Sequence, residues 1–149
     1  MYCPAYSASN TDSAQQNYAN CLINASASSV LTISGCSACT GDQYLILYDA
    51  NGTTQLASND DYCSPCSAIT YTVPSDSAYQ LFQLHEGCYG SSACNGTISV
   101  TGAVSVYAGP AAPSGSPISS PASSPISSPS SLPTSGESNL FAFPFSLLF

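Results

Sequence analysis

The sequence predicts an all-β, disulfide-rich sandwich domain, followed by an extended polyproline-type arm and a C-terminal apolar strand. Three observations carry this. Short runs rich in β-branched and aromatic residues recur between residues 28 and 107, broken by turn residues, at the spacing of an all-β domain. All eight cysteines lie from Cys3 to Cys94, a density that small oxidised domains use to supplement a limited core. Eight of the eleven prolines fall within 110–149, so composition changes character where the domain ends.

The chain divides accordingly into an N-terminal segment tied by disulfide (1–27), the sandwich (28–108), a Ser/Pro-rich arm (109–139) and the apolar strand (140–149). Seven strands are expected: 30–33, 44–48, 55–57, 69–73, 79–84, 98–100 and 104–106. Residues 44–48 are apolar on both faces, which suits a central strand. Asn51-Gly52 signals a hairpin, because both residues tolerate positive φ. Helix has little support, since 13–20 offers only Tyr18 and alanines as an apolar face.

If consecutive strands run up and down, loops 35–42, 59–67 and 85–95 emerge at one end. Cys36, Cys39, Cys63, Cys66, Cys88 and Cys94 then cross-link these loops, while Cys3 and Cys21 fasten the N-terminal segment. Connectivity stays open, with Cys88–Cys94 favoured by its short Gly-rich loop. The two Cys-x2-Cys pairs, 36/39 and 63/66, would also supply four thiolates to zinc. Disulfides are the expected reading, because no Lys or Arg exists to offset the charge of such a site.

Leu45-Ile46-Leu47-Tyr48-Asp49, Asn51-Gly52, Leu56-Ala57-Ser58-Asn59-Asp60-Asp61 and Ile69-Thr70-Tyr71-Thr72-Val73 together resemble the bacterial pre-peptidase C-terminal domain, a secreted β-sandwich family, over roughly residues 28–107. The resemblance implies a jelly-roll-like sandwich with an accessory, binding or structural role and no catalytic residues.

Charge excludes whole classes of function. The chain has no Lys or Arg and eight acids, a net charge of -8. It cannot neutralise phosphates, so nucleic acid and anionic membrane surfaces are not expected partners. No apolar run approaches the roughly 20 residues of a membrane-spanning helix. The first residues, Met1-Tyr2-Cys3-Pro4, carry neither the basic nor the apolar region of a signal peptide. Sequons at Asn24, Asn51 and Asn95, expected in turns, agree with a secretory route and an extracellular or cell-surface location.

No catalytic residue is assigned. His85 is the single imidazole, and its place after Leu84 reads as the start of a loop. Asp49, Asp60 and Asp61 are weak calcium candidates, their ordinary role being to stabilise turns. No other metal or cofactor is expected.

The arm carries a period. Pro113, Pro117, Pro121, Pro125, Pro129 and Pro133 recur every fourth residue, spaced by Ser119, Ser120, Ser123, Ser124, Ser127 and Ser128. Repeated proline favours polyproline II, which at about 3.1 Å per residue makes a rod of about 60 Å from Pro113 to Pro133. Such a stretch reads as a region of O-glycosylation or proline modification. Beyond it, Phe141, Phe143, Phe145, Leu147 and Phe149 alternate, the pattern of a strand with one bulky apolar face. Pro144 falls on the other phase, which marks an edge or inserted strand.

Head, spacer and apolar strand are the parts of a donor-strand assembly. The expected function is a structural subunit of an extracellular glycosylated filament: a homo-oligomer with covalently attached glycans, built by inserting its C-terminal arm into neighbours. The alternative is a secreted or surface-anchored, non-catalytic module that binds carbohydrate or protein. In that reading the C-terminal segment is a cleaved anchor signal.

Overall fold

All seven β-rich runs become strands, and four further strands join them. The computed structural model describes residues 1–76 and 79–114. Its strands are β1 (Tyr6–Ser9), β2 (Ala19–Ser26), β3 (Val30–Ser34), β4 (Cys39–Thr40), β5 (Gln43–Tyr48), β6 (Gln55–Asn59), β7 (Ala68–Thr72), β8 (Tyr79–Cys88), β9 (Ala93–Gly96), β10 (Ser99–Thr101) and β11 (Ala103–Ala108). They form three sheets, ordered β11-β2-β8-β5-β6, β10-β3-β7 and β1-β9-β4. Every pairing in them is antiparallel.

Period-two patterning builds the core. In β3, Leu31 and Ile33 are buried while Val30 and Thr32 are exposed. In β2 the buried phase is Cys21, Ile23 and Ala25. These side chains join Leu45, Leu47, Ile69, Phe82, Leu84 and Val100 in one apolar cluster that draws on both larger sheets. Tyr71 of β7 meets Phe82 of β8 edge-on across it, ring centroids 5.6 Å apart. β5 is apolar on both faces because it is covered twice. Leu45 and Leu47 enter the main core, while Ile46 and Tyr48 join a second cluster with Ala14 and Tyr18.

Two expectations need correction. Residues 1–27 are not merely fastened to the sandwich. β2 is an interior strand of the largest sheet, paired with β8 along its whole length and with β11 on its other side. Its Ala-Asn-Cys-Leu-Ile-Asn-Ala-Ser composition is undistinguished, and partners on both sides decide its conformation. Secondly, β8 does not end at Leu84. It continues to Cys88 because β2 and β5 flank it there, with Ala19 opposite Glu86 and Gln43 opposite Cys88.

The three sheets meet at Gln43, which is fully buried. Its Nε2 donates to the Tyr6 hydroxyl of β1 at 2.7 Å, and its Oε1 accepts from the Ser67 amide beside β7 at 3.0 Å. The Ser67 hydroxyl returns a bond to the Gln43 carbonyl at 2.6 Å. A Cβ on Gly35 would overlap the Gln43 Oε1, so glycine is required where this side chain passes. Gln43→Ala strands a buried hydroxyl and a buried amide. It should therefore cost on the order of 3 kcal/mol, read as a lowered urea midpoint with the disulfides intact. A midpoint unchanged from the parent would show that the contacts are dispensable.

Candidate functional site

Disulfides clamp the loops. They join Cys3–Cys21, Cys36–Cys63, Cys39–Cys66 and Cys88–Cys94. The two Cys-x2-Cys pairs are linked to each other crosswise, which leaves no thiol for zinc; no cysteine is free. Such a framework suits an oxidising compartment.

The acids group differently from the expected set. Asp49 stands alone, its Oδ1 accepting from the amides of Thr53 at 3.0 Å and Thr54 at 3.2 Å. These amides hold its carboxyl below the usual range. Asp42 takes its place, with one carboxylate oxygen each from Asp42, Asp60 and Asp61 lying within 4.8 Å of one another. The reason is topological. β5 separates Asp42 from Asp49 by about 20 Å at a rise of about 3.3 Å per residue, and β6 returns Asp60 and Asp61 to the Asp42 end. Burial, then the charges of Asp61 and Asp42, raise the Asp60 carboxyl, whose Oδ1 is buried without a hydrogen-bond partner. Three carboxylates fit part of the shell of roughly six to eight oxygens that calcium takes.

His85 is not a loop residue. It lies 5% exposed in β8, stacked on Tyr18 with ring centroids 3.6 Å apart and tilted against Tyr48 at 4.4 Å. The loop at 10–18 covers it, with Asp12, Ser13 and Ala14 all at positive φ. Thr11 pins this loop, its Oγ1 donating to the Cys88 carbonyl at 2.7 Å and accepting from the Cys88 amide at 2.8 Å. Gly87 admits the close approach, because a Cβ there would come within 2.7 Å of Ala14. Burial pushes the His85 pKa down to about 4, the Ala14 backbone opposing, and neither ring nitrogen makes a well-formed hydrogen bond. So placed, the imidazole is enclosed by the two tyrosine rings and the 10–18 loop.

Glu86, next in the strand, turns to the opposite face. It is 1% exposed, and burial alone raises its pKa to about 8. It lines a cavity of about 520 Å³ with Tyr6, Tyr18 and Asn20. The chain leaves the domain along this cavity: the Gly109 amide bonds the Asn20 carbonyl at 2.7 Å, and Pro113 accepts from the Asn17 amide at 3.3 Å. A second groove, of about 390 Å³, lies among Leu56, Tyr71 and Phe82.

Of the sequons, only Asn51 sits in a turn, where it is exposed. Asn95 is exposed in β9, between Ser7 and Thr40. Asn24 is half-buried in β2 between Leu81 and Ser105. Pro113 is described; Pro117 to Pro133, the arm serines and Phe141 to Phe149 lie outside the described residues. Among the described residues no helix is long and apolar enough to cross a membrane. In comparisons with protein-family models, curated proteins and solved structures, nothing matches this chain.

Glu86 and His85 give stability opposing pH slopes. Glu86 keeps its proton to about pH 8 when folded but only to 4.5 when unfolded, so its contribution falls as pH rises between those values. His85, at 6.5 unfolded and about 4 folded, contributes fully above 6.5 and loses that contribution as pH falls to 4. The slopes cancel from 4.5 to 6.5 and leave a net loss from 6.5 to 8. Glu86→Gln should abolish the decline of Tm across that last interval, followed by circular dichroism. A decline that survives the substitution would assign it to another group.

Proposed function

We propose that this protein is a structural subunit of an extracellular glycosylated filament. Its jelly-roll-like head is joined to the next subunit by insertion of the C-terminal segment, and its role is accessory and non-catalytic, as the resemblance to the pre-peptidase C-terminal domain implies. One observation carries the reading. Among the described residues the core and the side chains packed against it run from Cys3 to Val106, so the head assembles its apolar interior upstream of the arm. In this reading the alternating Phe141, Phe143, Phe145, Leu147 and Phe149 serve contacts between subunits.

Physical terms support this use. Burying one Phe contributes roughly 1.5–3 kcal/mol, and a stiff proline-rich spacer limits the entropy lost on docking. A head-to-tail contact that does not close produces a filament. The exposed Asn51 and Asn95 and the Ser/Pro arm carry the sugars in this reading.

Deleting residues 140–149 should leave the head folded, with its disulfides formed, but unable to polymerise. Phe143→Asp should do the same, whereas Ser146→Asp should be milder. Electron microscopy and sedimentation of the full-length and truncated chains under identical conditions decide the matter. Equal assembly by the truncated chain, or a stable full-length monomer, would sink the filament and favour the anchored binding module.

A further inference from the structure

We propose that the acceptor for the C-terminal segment is the wedge between β6 and β7, where residues 141–149 of a neighbouring copy add a short strand alongside β8. The proposal rests on the filament reading and names the site that reading requires.

β8 outruns its neighbour. On one side β2 stays paired with it from Ala19 opposite Glu86 to Ser26 opposite Tyr79. On the other side β5 stops at Tyr48 opposite Gln83. Among the described residues, positions 79–82 of β8 therefore have no strand on the β5 side. An unpaired strand edge is a template for another chain.

The same place is lined for apolar side chains. The Asn59 Oδ1 accepts from the Ala68 amide at 3.1 Å, tying β6 to β7 at one end. Toward Leu56 and Tyr71 a groove of about 390 Å³ opens, with Phe82 in its lining and Ala50 and Pro74 at its sides. Leu56 and Tyr71 are half-buried against the core, and Phe82 is 2% exposed. Asp49, the one acid in the lining, is engaged by its own turn.

Residues 141–149 match both features. They carry no charge and alternate bulky apolar side chains. In an extended strand, Phe143 and Phe145 direct their amides to one edge and Pro144 its missing donor to the other. The segment can thus pair with β8 through Phe143 and Phe145 while Pro144 faces away.

Position favours a neighbour over the same chain. The chain leaves beside Asn20, which is opposite His85, whereas the groove borders Gln80 to Phe82, about 15 Å back along β8. Exit and acceptor are different surfaces, so the contact is heterologous and propagates. β11 offers another free edge, with Val104 and Tyr107 exposed, but it runs straight into the exit.

Complementary variants test this. A chain lacking 140–149 keeps the acceptor and loses the donor; full-length Tyr71→Asp keeps the donor and spoils the acceptor. Each alone should sediment as a monomer, and an equimolar mixture should give a heterodimer and nothing longer. If Tyr71→Asp polymerises as the parent does while the truncated chain does not, the acceptor lies elsewhere and the filament reading stands. If the truncated chain polymerises, that reading itself fails. Hydroxyl-radical footprinting of the unsubstituted chain separates a folding defect from a lost site. Oxidation of Leu56 and Tyr71 should drop several-fold on assembly relative to Tyr62, which is 74% exposed. Equal oxidation of Leu56 before and after assembly overturns the proposal.

Discussion

Gln43 sits at the start of β5 with no exposed surface, and its amide reaches Tyr6 of the smallest sheet and Ser67 at the head of β7. A primary amide carries a donor and an acceptor on one planar group, so it answers a hydroxyl on one side and a peptide N–H on the other. No apolar side chain of that volume could satisfy both. The arrangement also dictates its surroundings: Gly35 must lack a side chain, and burial in this knot pushes the Tyr6 hydroxyl up to about 12. Much of the remaining contact between sheets is apolar, joined by the Asn59–Ala68 hydrogen bond between β6 and β7 and the Cys88–Cys94 bridge between β8 and β9. The Gln43 amide is the one side chain among those described that hydrogen-bonds to Tyr6 of one sheet and to Ser67 beside another.

A chain without Lys or Arg has few ways to accommodate buried acids. Elsewhere a guanidinium would stabilise a buried carboxylate; here Glu86 keeps its proton instead, and Asp60 is raised by burial and then by its neighbours Asp61 and Asp42. His85 solves the reverse problem by staying neutral between two tyrosine rings. Among the described residues, Glu86 and His85 are thereby kept uncharged near neutral pH through proton occupancy.

Legibility in the sequence followed side-chain chemistry. Val30 to Ile33 and Ile69 to Val73 announce strands because β-branched residues suit a half-buried pleat. Tyr6–Ser9, Cys39–Thr40 and Ala93–Gly96 announce nothing, being short and built of small or polar residues that pair only because disulfides and neighbouring strands hold them. The acid cluster was half visible: Asp60 and Asp61 adjoin in sequence, but only the return of β6 along β5 identifies Asp42 as their companion in place of Asp49. His85 does not announce a strand, because the Glu86, Gly87 and Cys88 that follow it in β8 look like loop. The left-handed turn at Asp12 to Ala14, which seals the imidazole, has no pattern in sequence at all.

The disulfides have a mechanical corollary. They bridge sequence separations of 18, 27, 27 and 6, and the two longest overlap, since Cys36–Cys63 and Cys39–Cys66 enclose nearly the same loop. A tensile load applied through the chain ends travels through the sulfur bridges and bypasses most of the residues between them. At up to about 3.5 Å per residue, roughly fifty residues of contour are locked out of reach. The overlapping pair adds redundancy, because either bridge alone keeps that loop closed. An oxidised domain under pull can therefore lengthen by only part of its contour, and the remainder becomes available as slack only after reduction.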